Sequence, residues 1–536
     1  MSAEPKPVIS SNELKALSTI KPSLADAHAS SVITHFMAHG ALQAFVQDAT
    51  VAIKTEHLKS RHPREMALSG VHAGVEASLM KLQAAARFYF MKLEPDFEYI
   101  IPSSLMSYLT RPGKGTMYDE GAEPSDLPVS ITFIGQFIDH DLTKNATNLV
   151  SDESSVIVTD VASPFIDLDS VYGPRTDDDG SGGMVSPMSH GKFVLTKLDA
   201  SNNAYDVQRD GSGGAMIEDG RNDENQLILQ VHLLLMRVHN LLVKDLGMSK
   251  SQAQRETVFN WQSVVLNDHQ ESVLDATVRQ HVLTDLENEV KHPGSVHRLK
   301  YRPSNKSLKM PHEFAIAFRY GHSQLRNGYF VGPNRSFPLF DNLDAGPAFK
   351  DLRGSRALTP DRAIDWPFFI TPADDQRRSN LLDTHITSAV FDLPESAVPD
   401  TPTKFLGNLP QRNLIRSREI GLTSGEKLFD FYFGAHAEGK LTPDQVEPDA
   451  SFQPLFHFAG GFHTPLWYYV LKEAELAGGK RLGKLGSRLV GEVVGGAVYY
   501  NPVAYVHEHS WKSVISHSRV VKMKDLVDFV TGKDAS

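Results

Sequence analysis

Apolar residues recur along this chain mainly at three- and four-residue spacing, the period of a helix with one buried face. From about 25 to 95 such positions (Ile33, Phe36, Met37, Leu42, Phe45, then Leu79, Leu82, Phe88 and Phe90) are separated by Gly and Pro breaks and predict helices. Further helices are predicted over 129–143, 224–245, 256–270, 311–323, 426–434, 464–475 and 485–499. Alternating, strand-like runs are few and short, so the fold class is mainly α, with long loops and little β. Gly/Pro/Asp-rich loops fall at roughly 111–128, 173–220, 332–366 and 394–411. With no internal repeat and no shift in composition, the organisation read from the chain is an N-terminal helical extension, 1–95, packed on one continuous body, 96–536.

Composition narrows the classes. At 536 residues with 41% hydrophobic and 22% charged positions, the chain has ample material for a buried core. A formal net charge of -11 argues against a nucleic-acid partner, which calls for a basic surface. There are no cysteines, which excludes disulfides, zinc-thiolate sites, iron–sulfur clusters and thiol nucleophiles together. The opening residues, MSAEPKPVISSNELKALSTI, lack a basic stretch followed by an apolar run, so no secretory signal is expected. That expectation leaves the cytoplasm or export without a cleaved signal. The most apolar segment, Leu227–Val243, is interrupted by Gln230, His232, Arg237, His239 and Asn240, and reads as a core helix, not a membrane span.

Four segments carry candidate chemistry. In Phe133-Ile-Gly-Gln-Phe-Ile-Asp-His-Asp-Leu142, Gln136 and His140 share a helix face with Asp139 beside them. Such polar groups in an apolar helix need partners, so the run is a structural network or an acid–base site. In Ser163-Pro-Phe-Ile-Asp-Leu-Asp169, two carboxylates, a hydroxyl and free carbonyls suit either a solvated turn or a hard cation such as Ca²⁺. In Asp219-Gly-Arg-Asn-Asp-Glu-Asn225, Arg221 either pairs with Glu224 or reaches into a pocket where it stabilises negative charge. Finally, His322 closes the apolar run Phe314–Tyr320, a place for a structural residue or for an axial haem ligand, with Asn413 and Arg416 downstream.

The order and type of these blocks resemble the animal-type haem peroxidase family, within the peroxidase–cyclooxygenase superfamily, over roughly 95–435, and the terminal stretches resemble bacterial members. The resemblance implies a haem b cofactor and a haem peroxidase catalytic domain in the body 96–536. His140 resembles the distal histidine, Gln136 the distal glutamine, Arg221 the catalytic arginine and His322 the iron ligand. Asn413 resembles the residue that accepts from the Nδ1 proton of that ligand, and Arg416 the partner of a haem propionate. Asp141, Ser163, Phe165 (by its carbonyl), Asp167 and Asp169 resemble a calcium shell. Asp139 and Glu224 stand where ester bonds to haem form, while Asn225 replaces a sulfonium-forming Met. The activity implied is reduction of hydrogen peroxide with oxidation of a halide, thiocyanate or small aromatic donor.

Two other readings of the residues stay open. Fatty-acid oxygenases of the same superfamily carry a radical-forming Tyr three residues before the proximal His, where this chain has Arg319. Relatives also include adhesion modules that bind haem or calcium without catalysis, because a shared fold does not fix activity.

Overall fold

The computed structural model describes residues 88–121, 123–143, 163–173, 185–199, 204–302, 308–341, 350–394 and 407–534. The expectation of a helical extension over 1–95 lies mostly outside them. The chain divides into two units. Of the smaller (Met1–Phe90, Asn145–Val161 and Ser304–Lys309) only a few strand residues are described, and the residues with candidate chemistry all belong to the larger.

The larger unit is helical, as its periodicity predicts. Its longer helices are α1 (Ser103–Thr110), α2 (Ser130–Leu142), α3 (Gln226–Leu246), α4 (Lys250–Val264), α5 (Ala276–Lys291), α6 (His312–Ala317), α7 (Leu409–Ile420), α8 (Gly425–Phe433), α9 (Leu466–Leu476), α10 (Lys484–Tyr499) and α11 (Met523–Asp534). Strands among the described residues form only two-stranded sheets, such as Pro124–Pro128 antiparallel to Arg378–Asn380 and Tyr118–Asp119 parallel to Ile386–Thr387.

Helix α3 starts where Asn225 accepts hydrogen bonds from the Leu227 and Ile228 amides, and stops at Gly247 in the left-handed conformation. It is the one helix among the described residues long and apolar enough to cross a membrane, and 78% of its most apolar stretch is buried inside the protein. It packs beside α2, which is apolar on nearly all sides (Ile131, Phe133, Ile134, Phe137, Ile138 and Leu142 are buried) and so lies inside the body.

Several expectations shift. Phe88–Met91 is a strand, not the end of a helix. The helix expected over 256–270 gives way after Val264 to a π-helical turn, Val265–His269. This turn carries the buried His269 against α2, where a Cβ on Gly135 would lie 3.1 Å from its Nε2, so only glycine accepts the approach without displacing the ring. The run over 311–323 tightens into a 3₁₀ segment, Phe318–His322. Helices α1, α5 and α11 arise where no helix is expected, and α7 begins inside a stretch read as loop, its Pro410 sitting in the first turn.

Helices α5 and α10 pack over Val282, Leu286 and Leu299 and enclose a buried ionic cluster. Arg488 donates to Asp285 at 3.0 Å, to Glu492 at 3.0 Å and to the Arg298 carbonyl at 3.0 Å. Arg298 reaches Asp285 at 2.7 Å. Burial raises the Asp285 carboxyl, but the two arginines outweigh it and hold the group below its ordinary value. A depressed folded value means the stabilisation is present above the ordinary 3.8 and is lost as pH falls through the folded value. Removing Arg488 leaves the buried Glu492 without a counter-charge and Asp285 with Arg298 alone. Arg488→Met is therefore expected to lower stability by roughly 3–5 kcal/mol, read from urea unfolding at neutral pH. An unchanged midpoint would contradict this account.

Candidate active site

The loop 219–225, between the short strands and α3, supplies the partners that α2 lacks. His140 is buried near the C-terminal end of α2, where backbone carbonyls have no helical donor. Arg221 donates its Nη2 to the His140 carbonyl at 2.9 Å. Asp219 holds that guanidinium, accepting from Arg221 Nη2 at 2.7 Å and from its Nε at 3.1 Å, and also caps the 3₁₀ turn Gly220–Asp223. Arg209 clamps the same turn from outside through Asp223 at 2.8 and 2.9 Å.

The imidazole of His140 is oriented from behind. Its Nδ1 lies 2.9 Å from Asn222 Oδ1, which can only accept, so Nδ1 carries a proton and Nε2 is the nitrogen left to exchange one. Asn222 is wholly buried, and its Nδ2 donates to Nδ1 of His232 at 3.1 Å. Burial lowers His232 to about 4, so this second ring stays neutral and remains an acceptor near neutral pH.

Gln136 donates to Glu224, and Asn225 donates to Gln136 Oε1 at 3.2 Å. Glu224 Oε1 stands 3.8 Å from His140 Nε2. Burial pushes Glu224 up to about 7, against the opposing charge of Arg221. Arg221 does not pair with Glu224 by hydrogen bond, as the bland sequence reading allowed; its direct carboxylate partner is Asp219.

A second assembly is built on the 3₁₀ segment Phe318–His322 and on α7. Asn413 Oδ1 accepts from Arg319 Nη1 at 2.9 Å, and its Nδ2 faces His322 Nδ1 at 2.8 Å. In this arrangement the amide nitrogen faces the ring and Arg319 takes the carbonyl. Burial, with the Arg319 charge, lowers His322 to about 3. Arg416 is 8% exposed and has no hydrogen-bond or ion-pair partner among the described residues. Burial and the neighbouring Arg319 lower it to about 10. Asp139 links the two assemblies electrostatically: burial raises its carboxyl, and Arg221 and Arg319 both pull it down.

At the end of α2 the chain brings Asp141, Asp167 and Asp169 together, with one carboxylate oxygen from each within 4.8 Å of the others. Burial raises Asp141 and Asp169 well above the ordinary carboxylate range, and repulsion from Asp167 adds to it. The Ser163 hydroxyl donates to Asp167 at 3.0 Å and its amide to Asp169 at 2.7 Å. The amide of Phe165 donates to the Ser163 hydroxyl at 3.3 Å. Leu168, between the acids, takes a left-handed backbone with φ 59°.

All the candidate residues thus fall into three neighbouring groups in the larger unit. The roles of Asp219 and Asn222 were not anticipated, while His232, read from the sequence as a core or supporting group, backs Asn222. Asp219 and Asn222 flank Arg221 closely, the one sequence signal that could have marked them.

The donor set fits a haem. A deeply placed guanidinium at Arg416, with no acid bonded to it among the described residues and Arg319 nearby, suits an anionic group such as a propionate, since a buried cation is costly unless compensated. His322 has no hydrogen-bond partner at Nε2 among the described residues, as an iron ligand requires.

Solved structures share the fold. Peroxidase A from Dictyostelium discoideum matches with a TM-score of 0.55 and 14% identity, over 82% of this chain and 95% of that one. A fatty acid alpha-dioxygenase from Oryza sativa matches with a TM-score of 0.55 and 11% identity, over 81% of this chain and 79% of that one. No curated protein sequence matches the chain. The sequence profile described as animal haem peroxidase matches residues 157–424, a span that takes in Arg221, His322, Asn413 and most of the acidic cluster. The chain belongs to the animal haem peroxidase family.

Proposed function

We propose that this chain is a haem-dependent peroxidase that reduces hydrogen peroxide and oxidises a halide, thiocyanate or small aromatic donor. The observation that carries the reading is the state of His140: Asn222 fixes the Nδ1 proton, so Nε2 is the basic atom, beside a glutamine, a carboxyl and an arginine. His322 would hold the iron, and Arg319 and Arg416 the haem carboxylates. An anion beside those arginines would free the Asn413 carbonyl from Arg319, so that the amide can turn and accept from Nδ1 of His322. Haem would supply the redox-active iron that passes electrons from donor to peroxide.

The protein's own groups then divide the proton chemistry. Nε2 of His140 takes a proton from peroxide and returns it to the departing oxygen, which leaves as water. Arg221, anchored by Asp219, places fixed positive charge where negative charge develops as the O–O bond breaks. Gln136 and Glu224 hold each other beside His140. Asp139 and Glu224 are the groups we assign to ester bonds with haem. Asn225 has no sulfur for a third bond and is instead the cap of α3. Without that electron-withdrawing link, bromide, iodide, thiocyanate or phenols are favoured over chloride.

The fatty-acid oxygenase reading lacks its radical-forming Tyr. Arg319 occupies that position and is tied to Asn413, while the Tyr320 hydroxyl lies 3.4 Å from His269 Nε2, away from it. For the acidic cluster we propose one Ca²⁺, held by Asp141, Asp167 and Asp169 with the Ser163 hydroxyl and the Phe165 carbonyl. Such a cation relieves the mutual repulsion of three crowded carboxylates and fixes the end of α2 next to His140.

His140→Ala is expected to retain haem but lose about 10²–10⁴-fold in peroxide consumption; Asn222→Ala, which removes the shared partner of two buried rings, should also destabilise the fold by about 1–3 kcal/mol. Parental peroxide kinetics in His140→Ala would place the site elsewhere. His322→Ala should lose most of its haem absorbance, and a variant with full haem content and turnover would remove the proximal assignment. Extended chelation should lower both melting temperature and activity, with elemental analysis of the untreated protein finding about one calcium per chain. Active protein free of divalent metal would refute the calcium assignment.

A further inference from the structure

A cavity of about 190 Å³ opens on the face of α3 turned away from His232. It lies among Tyr205, Leu234, Arg237, Ala363, Asp365 and Trp366. Drug-sized sites run to about 300–1,000 Å³, so this one suits a molecule of a single ring. Its walls mix aromatic rings with polar groups. The Arg237 guanidinium lies 4.8 Å from the centre of the Tyr205 ring, and the Trp366 indole forms part of the lining while only 6% exposed. One arginine and one aspartate give the cavity opposite charges, which favours a neutral polar ring such as a phenol over either ion.

From this cavity a run of aromatic rings leads to α2. Trp366 meets Phe369 edge-on with centroids 6.2 Å apart. Phe369 lies 6.3 Å from Phe133, and Phe133 lies 5.1 Å from Tyr329. Phe133, Phe369 and Tyr329 are essentially inaccessible to solvent. Phe133 sits on α2 three residues before Gln136 and seven before His140, hence on the same helix face as both. Tryptophan and tyrosine lose an electron far more readily than phenylalanine, so the two phenyl rings serve as dry, rigid spacing between the oxidisable Trp366 and Tyr329.

We propose that this cavity is a second donor site, binding a single-ring phenol that is oxidised at a distance through Trp366. The inference rests on the peroxidase reading, which supplies the oxidant. For each hydrogen peroxide reduced to two waters, two phenols give up one electron and one proton each. Trp366 passes each electron inward towards the haem and is restored by the phenol in the cavity. The phenolic proton leaves to water at the open mouth. Two phenoxyl radicals result, and no bond to the protein is made. Small anions, by contrast, are oxidised in the pocket of His140 and Arg221 and do not need Trp366.

The holoenzyme and two variants test this with p-cresol and iodide as donors. Trp366→Phe removes the oxidisable ring but keeps the packing, and Ala363→Phe fills the cavity but keeps the indole. Both are expected to lose about tenfold or more in kcat/KM for p-cresol while iodide oxidation stays within about twofold. Independently of turnover, holoenzyme treated with peroxide and a nitroso spin trap, with no donor, should yield a trap adduct on the peptide containing Trp366. The adduct should persist in Ala363→Phe. Turnover of p-cresol at the parental rate in both variants overturns the proposal, as does the lack of any adduct at Trp366. Failure of the parent to consume peroxide with either donor overturns the peroxidase reading and this inference with it. Loss of p-cresol oxidation alone in the parent, with iodide oxidation intact, overturns only the inference.

Discussion

Helix α2 is apolar on almost every side and yet carries Gln136, Asp139, His140 and Asp141 into the interior, and a buried polar group without a partner costs several kcal/mol. The arrangement around it follows from that constraint. The loop 219–225 answers it nearly alone: Asn222 takes the ring of His140, Arg221 its carbonyl, and Glu224 and Asn225 the amide of Gln136. On the far side of the helix, Asp141 accepts from the Leu168 amide and the Ser170 hydroxyl. The groups that orient the candidate base are therefore the same groups that allow α2 to be buried.

Charge is balanced less completely than hydrogen bonding. The ionic cluster of α5 and α10 pairs its acids with two arginines and is self-sufficient. The candidate site is not: Arg416 has no acid bonded to it among the described residues, three carboxylates crowd together at the end of α2, and Glu224 is held near neutrality by burial. Excess positive charge in one place and excess negative charge in another are what a haem with its propionates and a hard cation would respectively compensate.

A peroxidase and a fatty acid dioxygenase share this fold at low identity, so the backbone alone does not choose between these chemistries. The choice rests on single positions. The one three residues before His322 holds a guanidinium bonded to Asn413, and the nearby Tyr320 hydroxyl lies 3.4 Å from His269 Nε2, the two features on which our proposal sets the oxygenase reading aside. The aromatic run from Trp366 to Phe133 belongs to the core, so the second property we propose for it would call for no residue that packing does not already need.

The sequence by itself determined the elements whose signal is local. Periodic apolar runs marked α2, α3, α8, α9 and α10, and polar residues set in apolar runs marked His140 and His322 as candidates, which the family resemblance, with Arg221 in the loop before α3, singled out as a site. Other elements were hidden for physical reasons. Helix α5 buries Asp285 and Glu289 beside Val282 and Leu286, which breaks its apolar pattern, α11 is short and rich in Lys and Asp, and the π-helical turn at His269 packs against Gly135, 134 residues away in sequence. Only the tertiary structure decided that Arg221 binds Asp219 and not Glu224, that Asn222 and His232 orient His140, and that Arg319 takes the Asn413 carbonyl. These are choices among partners of similar chemistry a few ångströms apart. Residue type and spacing say which groups need a hydrogen bond, and the folded geometry alone says which neighbour provides it.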